Sequence, residues 1–336
     1  MAKHPSRREF LRRLVATGAG AYGLGRFTRG SDADQAQPTS ARSKVVIVRS
    51  SALGPFEGRP EPDQSLLATM LGRGITALTG VPSVMKGWAR VFKPDDLVSI
   101  KVNGLGGPRC SSRPELANAI AAGAQTAGVE ADNITIWDRS DRDLKDVGFA
   151  LNRSGAGVKC YGTEGDYSDE ISHRSFRGCI SKILTDRTTA LVNLPILKDH
   201  GSSGVTAALK NHYGTCNNPG AHHGNHCDPY LADLNDLPEI RDKTRLIVCD
   251  AIQVVCEGGP GFSSPDYLWD YQAIILGFDP VAIDFIGWGL IEQRRREIGL
   301  PSLADAGREP KWISSAEALG LGAARQENIE VIEIDV

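Results

Sequence analysis

The sequence predicts an α/β protein: a mainly parallel sheet with helices on both faces. Three observations carry that expectation. Short β-branched runs alternate with segments whose apolar residues recur at helical spacing. The stretches between successive strands are long enough for helical crossovers, which are right-handed and make neighbouring strands parallel. The 336 residues, 41% hydrophobic and 24% charged, have globular proportions and length enough for a large core, which excludes collagenous, coiled-coil and largely disordered chains.

The elements follow in order. Residues 44–48 (KVVIV) form a β-branched strand bounded by turn residues, and 65–79 carry a helical apolar pattern. Residues 97–102 are the second strand. An Ala-rich helix over 114–127 starts on Pro114 and stops before Gly128. Residues 134–137 are the third strand; 189–194, 245–249 and 273–276 continue the series, 280–296 are a long helix and 329–334 a closing strand. Residues 204–214 read as a helix that turns polar and ends at Gly214. The organisation expected is a signal and linker over 1–43 and one α/β domain over 44–336, with a second lobe beginning near residue 150.

Charge is distributed unevenly. Residues 1–30 hold seven Lys/Arg and one acid, so the net −3 of the chain divides into +6 there and −9 over the remainder. An acidic body argues against nucleic acid as a partner. Within the basic head, Ser6-Arg7-Arg8-Glu9-Phe10-Leu11-Arg12 precedes a short apolar run over 14–24 and resembles a twin-arginine export signal. The run falls well short of the ~20 residues of a membrane span. The resemblance implies the twin-arginine export machinery as a partner and a soluble, extracytoplasmic (periplasmic) mature protein, with a basic amphipathic arm as the alternative.

Ligands of open parallel sheets bind outside the carboxyl ends of the strands. Lys101 and Asn103, Asp138, Lys198 and His200, and Asp250 all leave strands at that edge. Lys101, Lys198 and Lys210 suit a small anionic ligand, with Asn103 and Asn211 beside them and His200, Asp138 or Asp250 to move protons. The bland alternatives are caps for Asp138 and Asp250, and helix-dipole partners for Lys210 and His212. Glu257, before a Gly-rich turn, and Asp284 are the candidate cofactor contacts. The Gly-rich turns match no nucleotide-binding fingerprint.

Residues 214–228 lack periodicity and concentrate metal-ligating side chains. His222, His223, His226 and Cys227, with His212 and Cys216 just upstream, suit zinc or iron. A solvated loop closed by a Cys216–Cys227 disulfide is the competing expectation. Seven cysteines leave at least one without a disulfide. Cys160 and Cys179 could pair, and Cys249 reads as a core thiol.

Lys101-Val102-Asn103, the 195–200 segment, Lys210-Asn211 with Gly214, Asp250, Glu257-Gly258 with Pro260, and Pro280-Val281-Ala282 with Asp284 occur in an order that resembles the family called domain of unknown function 362. The likeness covers roughly residues 44–300. It implies iron–sulfur chemistry, since some members are joined to a ferredoxin-like segment, although the C-x2-C-x2-C run of a ferredoxin is missing here. A cluster would need scattered cysteines, Cys216 and Cys227 first, or ligands shared across a homodimer.

The first functional expectation is therefore an exported metal- or iron–sulfur-binding redox protein with a redox partner. The alternatives are an enzyme acting on a small anionic substrate through the Lys/Asp/His cleft, and a non-catalytic exported binding protein. Replacing Arg7 and Arg8 together by Lys is expected to hold the chain in the cytoplasm, as read by cell fractionation.

Overall fold

A computed structural model describes residues 42–54, 58, 61–261 and 263–336. The twin-arginine stretch lies outside the described residues. The expected α/β architecture is present. One sheet runs in the order β12 (Ile329–Asp335), β1 (Ser43–Arg49), β11 (Leu268–Gly277), β10 (Thr244–Val255), β7 (Ala190–Asn193), β2 (Val98–Lys101), β3 (Ile134–Asp138) and β4 (Lys159–Gly162). Two further strands, β8 (Ile196–His200) and β9 (Gly204–Thr206), branch from β10. Within the main order β11 alone runs antiparallel to its neighbours. Strands from both sides of residue 150 share this sheet, and a separate hairpin joins β5 (Ile171–His173) to β6 (Phe176–Gly178).

Alternation along each strand sends side chains to opposite faces, and both faces are covered. From β1, Val46 and Val48 enter a core with Ile100, Ile136 and Leu276, packed against α1 (Gln64–Thr79), α2 (Val84–Val91), α3 (Pro114–Thr126) and α4 (Asp141–Asp146). Val45 and Ile47 enter the other, with Ile247, Cys249 and Ile275. That face is covered chiefly by α6 (Ala208–Asn211), α7 (Tyr230–Asn235), α9 (Pro280–Glu297) and α10 (Trp312–Ala318), with α5 (Lys182–Asp186) and α8 (Pro238–Arg241) at its margin. Side chains cap both long helices. Asp63 accepts from Ser65 N (2.8 Å) and Leu66 N (3.1 Å) at the start of α1, and Asp279 accepts from Ala282 N (2.9 Å) ahead of Pro280 in α9.

Two elements differ from expectation in ways that shape the site. Residues 196–200 are a strand and not a loop. Pro195 interrupts the chain after β7, and the chain then pairs again farther along β10, with Asp250 opposite Ile196 and Val255 opposite Lys198. The helix expected over 204–214 shrinks to α6. Its first part is β9, which places Thr206 opposite Lys198. Gly204 enters β9 at φ +76°, and a Cβ there would lie 2.3 Å from the Arg308 carbonyl oxygen, so the chain can pass only as glycine. Helix begins where the Asp284 carboxylate of α9 accepts the N–H groups of Ala208 and Leu209 (3.0 Å for Leu209).

Asp250 lies in the core, outside the cleft described below. It pairs with the equally buried Arg113 and also accepts from Ile252 N (3.2 Å). Removing one member of such a pair strands the other charge. Asp250→Asn is therefore expected to destabilise the protein by about 3–5 kcal/mol in denaturant titration. The apolar double replacement Arg113→Met with Asp250→Leu should recover most of that loss.

Candidate active site

The carboxyl ends of β2 and β3, the β8–β9 pair and the loop after α6 enclose a cavity of about 280 Å3. Lys101, the last residue of β2, is 1% exposed; its Nζ donates to Asp138 Oδ1 (2.6 Å) and to the Val102 carbonyl (2.7 Å). Asp138, the last residue of β3, also accepts from Arg139 N (2.8 Å) and, through Oδ2, from Gly104 N (2.6 Å). Lys198 is as deeply buried. Its Nζ donates to Asn103 Oδ1 (3.2 Å) and to the carbonyls of Cys110 (2.8 Å) and Leu105. Among the described residues Lys210 Nζ has a single hydrogen-bond partner, His223 Nε2 (3.2 Å), and it sits 4.1 Å from the centre of the Tyr213 ring. Burial is the main cause that lowers both Lys198 and Lys210 to about 8.

The two histidines of the cleft are stacked, with ring centres 5.6 Å apart. His200 Nδ1 faces the backbone N–H of Ser202 (3.2 Å), so it is an acceptor and the neutral ring carries its proton on Nε2. His223 is the mirror case: Nδ1 donates to the Pro219 carbonyl (2.8 Å) and Nε2 accepts from Lys210. Burial first, then neighbouring positive charge, lowers both rings, His200 to about 2, so both are neutral at physiological pH. Asn211 ties the floor together. Its Nδ2 donates to the Lys101 carbonyl (3.0 Å) and Asn193 Oδ1 (2.8 Å), and its Oδ1 accepts from Asn103 Nδ2 (3.3 Å).

Of the expected site residues, the cleft thus gathers Lys101, Asn103, Asp138, Lys198, His200, Lys210, Asn211 and His223. It does not gather Glu257, which pairs with Arg295 and Arg308, or Asp284, whose oxygens are spent on the start of α6. The remaining candidate metal ligands diverge. His212 lines another cavity, and His222 packs against Phe176 and Tyr230 with ring centres 5.0 and 5.5 Å apart. His226 is exposed, bonded to the Ser202 carbonyl (2.9 Å), and the left-handed run Asn225, His226, Cys227 (φ 47°, 55° and 69°) turns it outward. Cys216 Sγ donates to the Tyr213 carbonyl (3.4 Å), and burial pushes this thiol up to about 11. All seven cysteines, Cys216, Cys227, Cys160 and Cys179 included, carry no disulfide. Among the described residues no three His, Cys, Asp or Glu side chains come together to hold a metal ion.

Several lining residues escaped the sequence. Thr206 is hidden by the helical reading of its segment; it is 3% exposed, and its Oγ1 has no hydrogen-bond partner among the described residues. Arg139, directly after Asp138, and Asp143, five residues after it, lie 3.4 Å apart, and Tyr213 belongs to the same polar run as Lys210. Pro219 and Pro260 contribute from loops whose approach only the fold sets. Leu105 stands 51% exposed among the lining residues.

These features define a class: a mainly parallel α/β protein with a cationic cleft at its strand ends. The chain belongs to the family called domain of unknown function 362, whose profile matches residues 98–289. No curated protein matches it. Among solved structures, a crystal structure of a Thermotoga maritima protein is similar at 9% identity and a TM-score of 0.37 over 73% of this chain, and the chain spans 61% of that protein's length. Among the described residues no helix is long and apolar enough to cross a membrane.

The cleft leaves no space at Gly214, where a Cβ would lie 2.5 Å from Lys101 Nζ and 2.7 Å from Asp138 Oδ1. Gly214→Ala is expected to cost about 1–3 kcal/mol, read as a lowered Tm. Gly220→Ala on the same loop, where a Cβ meets nothing within 4 Å, should change Tm little.

Proposed function

We propose that the protein is an enzyme that binds a small anion, a carboxylate or a phosphate, in this cleft and exchanges a proton with it through Lys210. The reading rests on one observation: unspent hydrogen-bonding capacity beside uncompensated positive charge. Lys101, Lys198, Lys210 and Arg139 line the cavity against two carboxylates, Asp138 and Asp143, within a body that is acidic overall. Lys198 spends its donors on three oxygens and Lys101 is held by Asp138, so these two act as fixed charges that set the local field. Lys210 keeps donors for a ligand. The Nε2–H of His200 supplies a further contact.

The chemistry follows from where the protons are. With both imidazoles neutral, the groups closest to their titration points are Lys198 and Lys210, both at about 8, and of the two it is Lys210 that keeps N–H donors for a ligand. An ammonium so poised can give a proton to a bound substrate and take it back, which suits general acid–base work near neutral pH. His223 Nε2 accepts one of its N–H groups and thereby orients the rest. His200 donates through Nε2–H where negative charge gathers on the substrate.

Lys210→Met is expected to weaken binding of inorganic phosphate or a small carboxylate about 10–100-fold in calorimetric titration, the range for loss of a charged hydrogen bond. Because Lys198 and Lys210 lose their charge as pH rises through about 8, affinity should hold below that value and fall above it. An affinity that is flat from pH 6 to 10 would exclude both lysines as the anion's partners.

A further inference from the structure

Two cations on the lining of the cleft keep N–H groups unspent, and they belong to different elements. Lys210 is on α6, with His223 as its one hydrogen-bond partner among the described residues (3.2 Å). Arg139 is the first residue after β3, fixed to Asp138 through its own backbone N–H (2.8 Å). Its guanidinium carries a planar fork of N–H donors. Among the described residues that fork makes one hydrogen bond, from Nη2 to Asp143 Oδ2 at 3.4 Å, longer than such bonds usually are. The Arg139 side chain is 40% exposed, so a solute entering the cavity from solvent can reach it.

The charge balance of the lining asks for more than one negative charge. While its lysines are protonated, Lys101, Lys198, Lys210 and Arg139 outnumber Asp138 and Asp143 by two positive charges. Lys101 is matched by Asp138 at 2.6 Å, and Lys198 has its donors turned to three protein oxygens. The positive charge that a ligand meets directly is therefore at Lys210 and Arg139. The Arg139–Asp143 contact is an i,i+4 pair open to solvent, which holds little energy, so a ligand can displace it or share it. A guanidinium fork binds a carboxylate or phosphate through two parallel bonds, whereas an ammonium meets it as a point charge.

We infer that the substrate of this cleft carries two separate anionic groups, one held by Lys210 and the other by Arg139. The inference rests on the anion-binding reading above and adds a specificity to it: Lys210 meets the end of the molecule at which the proton moves, and Arg139 positions the far end.

Acetate, malonate, succinate, glutarate and inorganic phosphate are the probes, titrated calorimetrically into the full chain at pH 7. At least one dicarboxylate is expected to bind ~tenfold or more tightly than acetate, and more tightly than phosphate, whose charges share one centre. In Arg139→Met the ratio of dicarboxylate to acetate affinity should fall to near unity, with Arg139→Lys in between. The Met variant keeps an apolar stem and loses only a weak pair, so its Tm should stay close to that of the wild type. A wild-type ratio near unity overturns the proposal, as does a ratio that survives in Arg139→Met, or phosphate as the tightest ligand. Those outcomes leave the anion-binding reading standing. That reading fails, and takes this inference with it, if no probe binds the wild type or if Lys210→Met binds every probe as well as the wild type does.

Discussion

An ammonium stripped of water at the end of a strand must recover its hydrogen bonds from the protein, and at Lys101 that need organises the whole edge of the sheet. Asp138, from the neighbouring strand, meets it at 2.6 Å. The same carboxylate binds Gly104 N and Arg139 N, so one buried pair joins β2, β3 and the turns that leave them. The contact lies in low dielectric, where either charge alone would be costly. It also leaves no volume beside it, which is why the chain leaving α6 passes as Gly214.

Lys210 is placed by a longer chain of contacts. Asp284, on α9, holds the first N–H groups of α6, and Asn211 one residue after Lys210 is bonded to the β2 backbone, to Asn193 and to Asn103. With both ends tied, the short helix has little freedom, and a catalytic or binding side chain on it is held as a rigid element would hold it. Elsewhere buried polar groups are largely consumed by one another, as in the Asp199, Glu257, Arg295 and Arg308 network. The contrast gives the cleft its meaning. The spare donors of Lys210, on the lining of the cavity, remain unspent.

Much of this architecture is legible in the chain. The β-branched runs, the Pro114 and Pro280 helix starts and the polar residues at strand ends all fall where local chemistry puts them, because propensity, capping and periodicity are short-range effects. The departures have long-range causes. Residues 204–206 join a strand because β8 offers a pairing edge, and residues 196–200 pair because β10 is long enough to serve two successive partners. The histidine-rich loop reads as a ligand cluster because proximity in sequence suggests proximity in space. Three consecutive left-handed residues and an aromatic pocket around His222 instead send the imidazoles apart.

By itself the sequence determined the fold class and the polar residues that line one edge of the sheet, Lys101, Asn103, Asp138, Lys198 and His200, since each is a consequence of a strand's own pattern and its exit. Only the tertiary structure decided what those residues are free to do. Asp250, within β10, Glu257, just after it, and Asp284, within α9, carry the same kind of group as Asp138. Their roles differ because the fold brings Arg113, the α6 backbone, and Arg295 with Arg308 against them. Whether a charged group is spent or available depends on partners scores of residues away, and no local pattern records them.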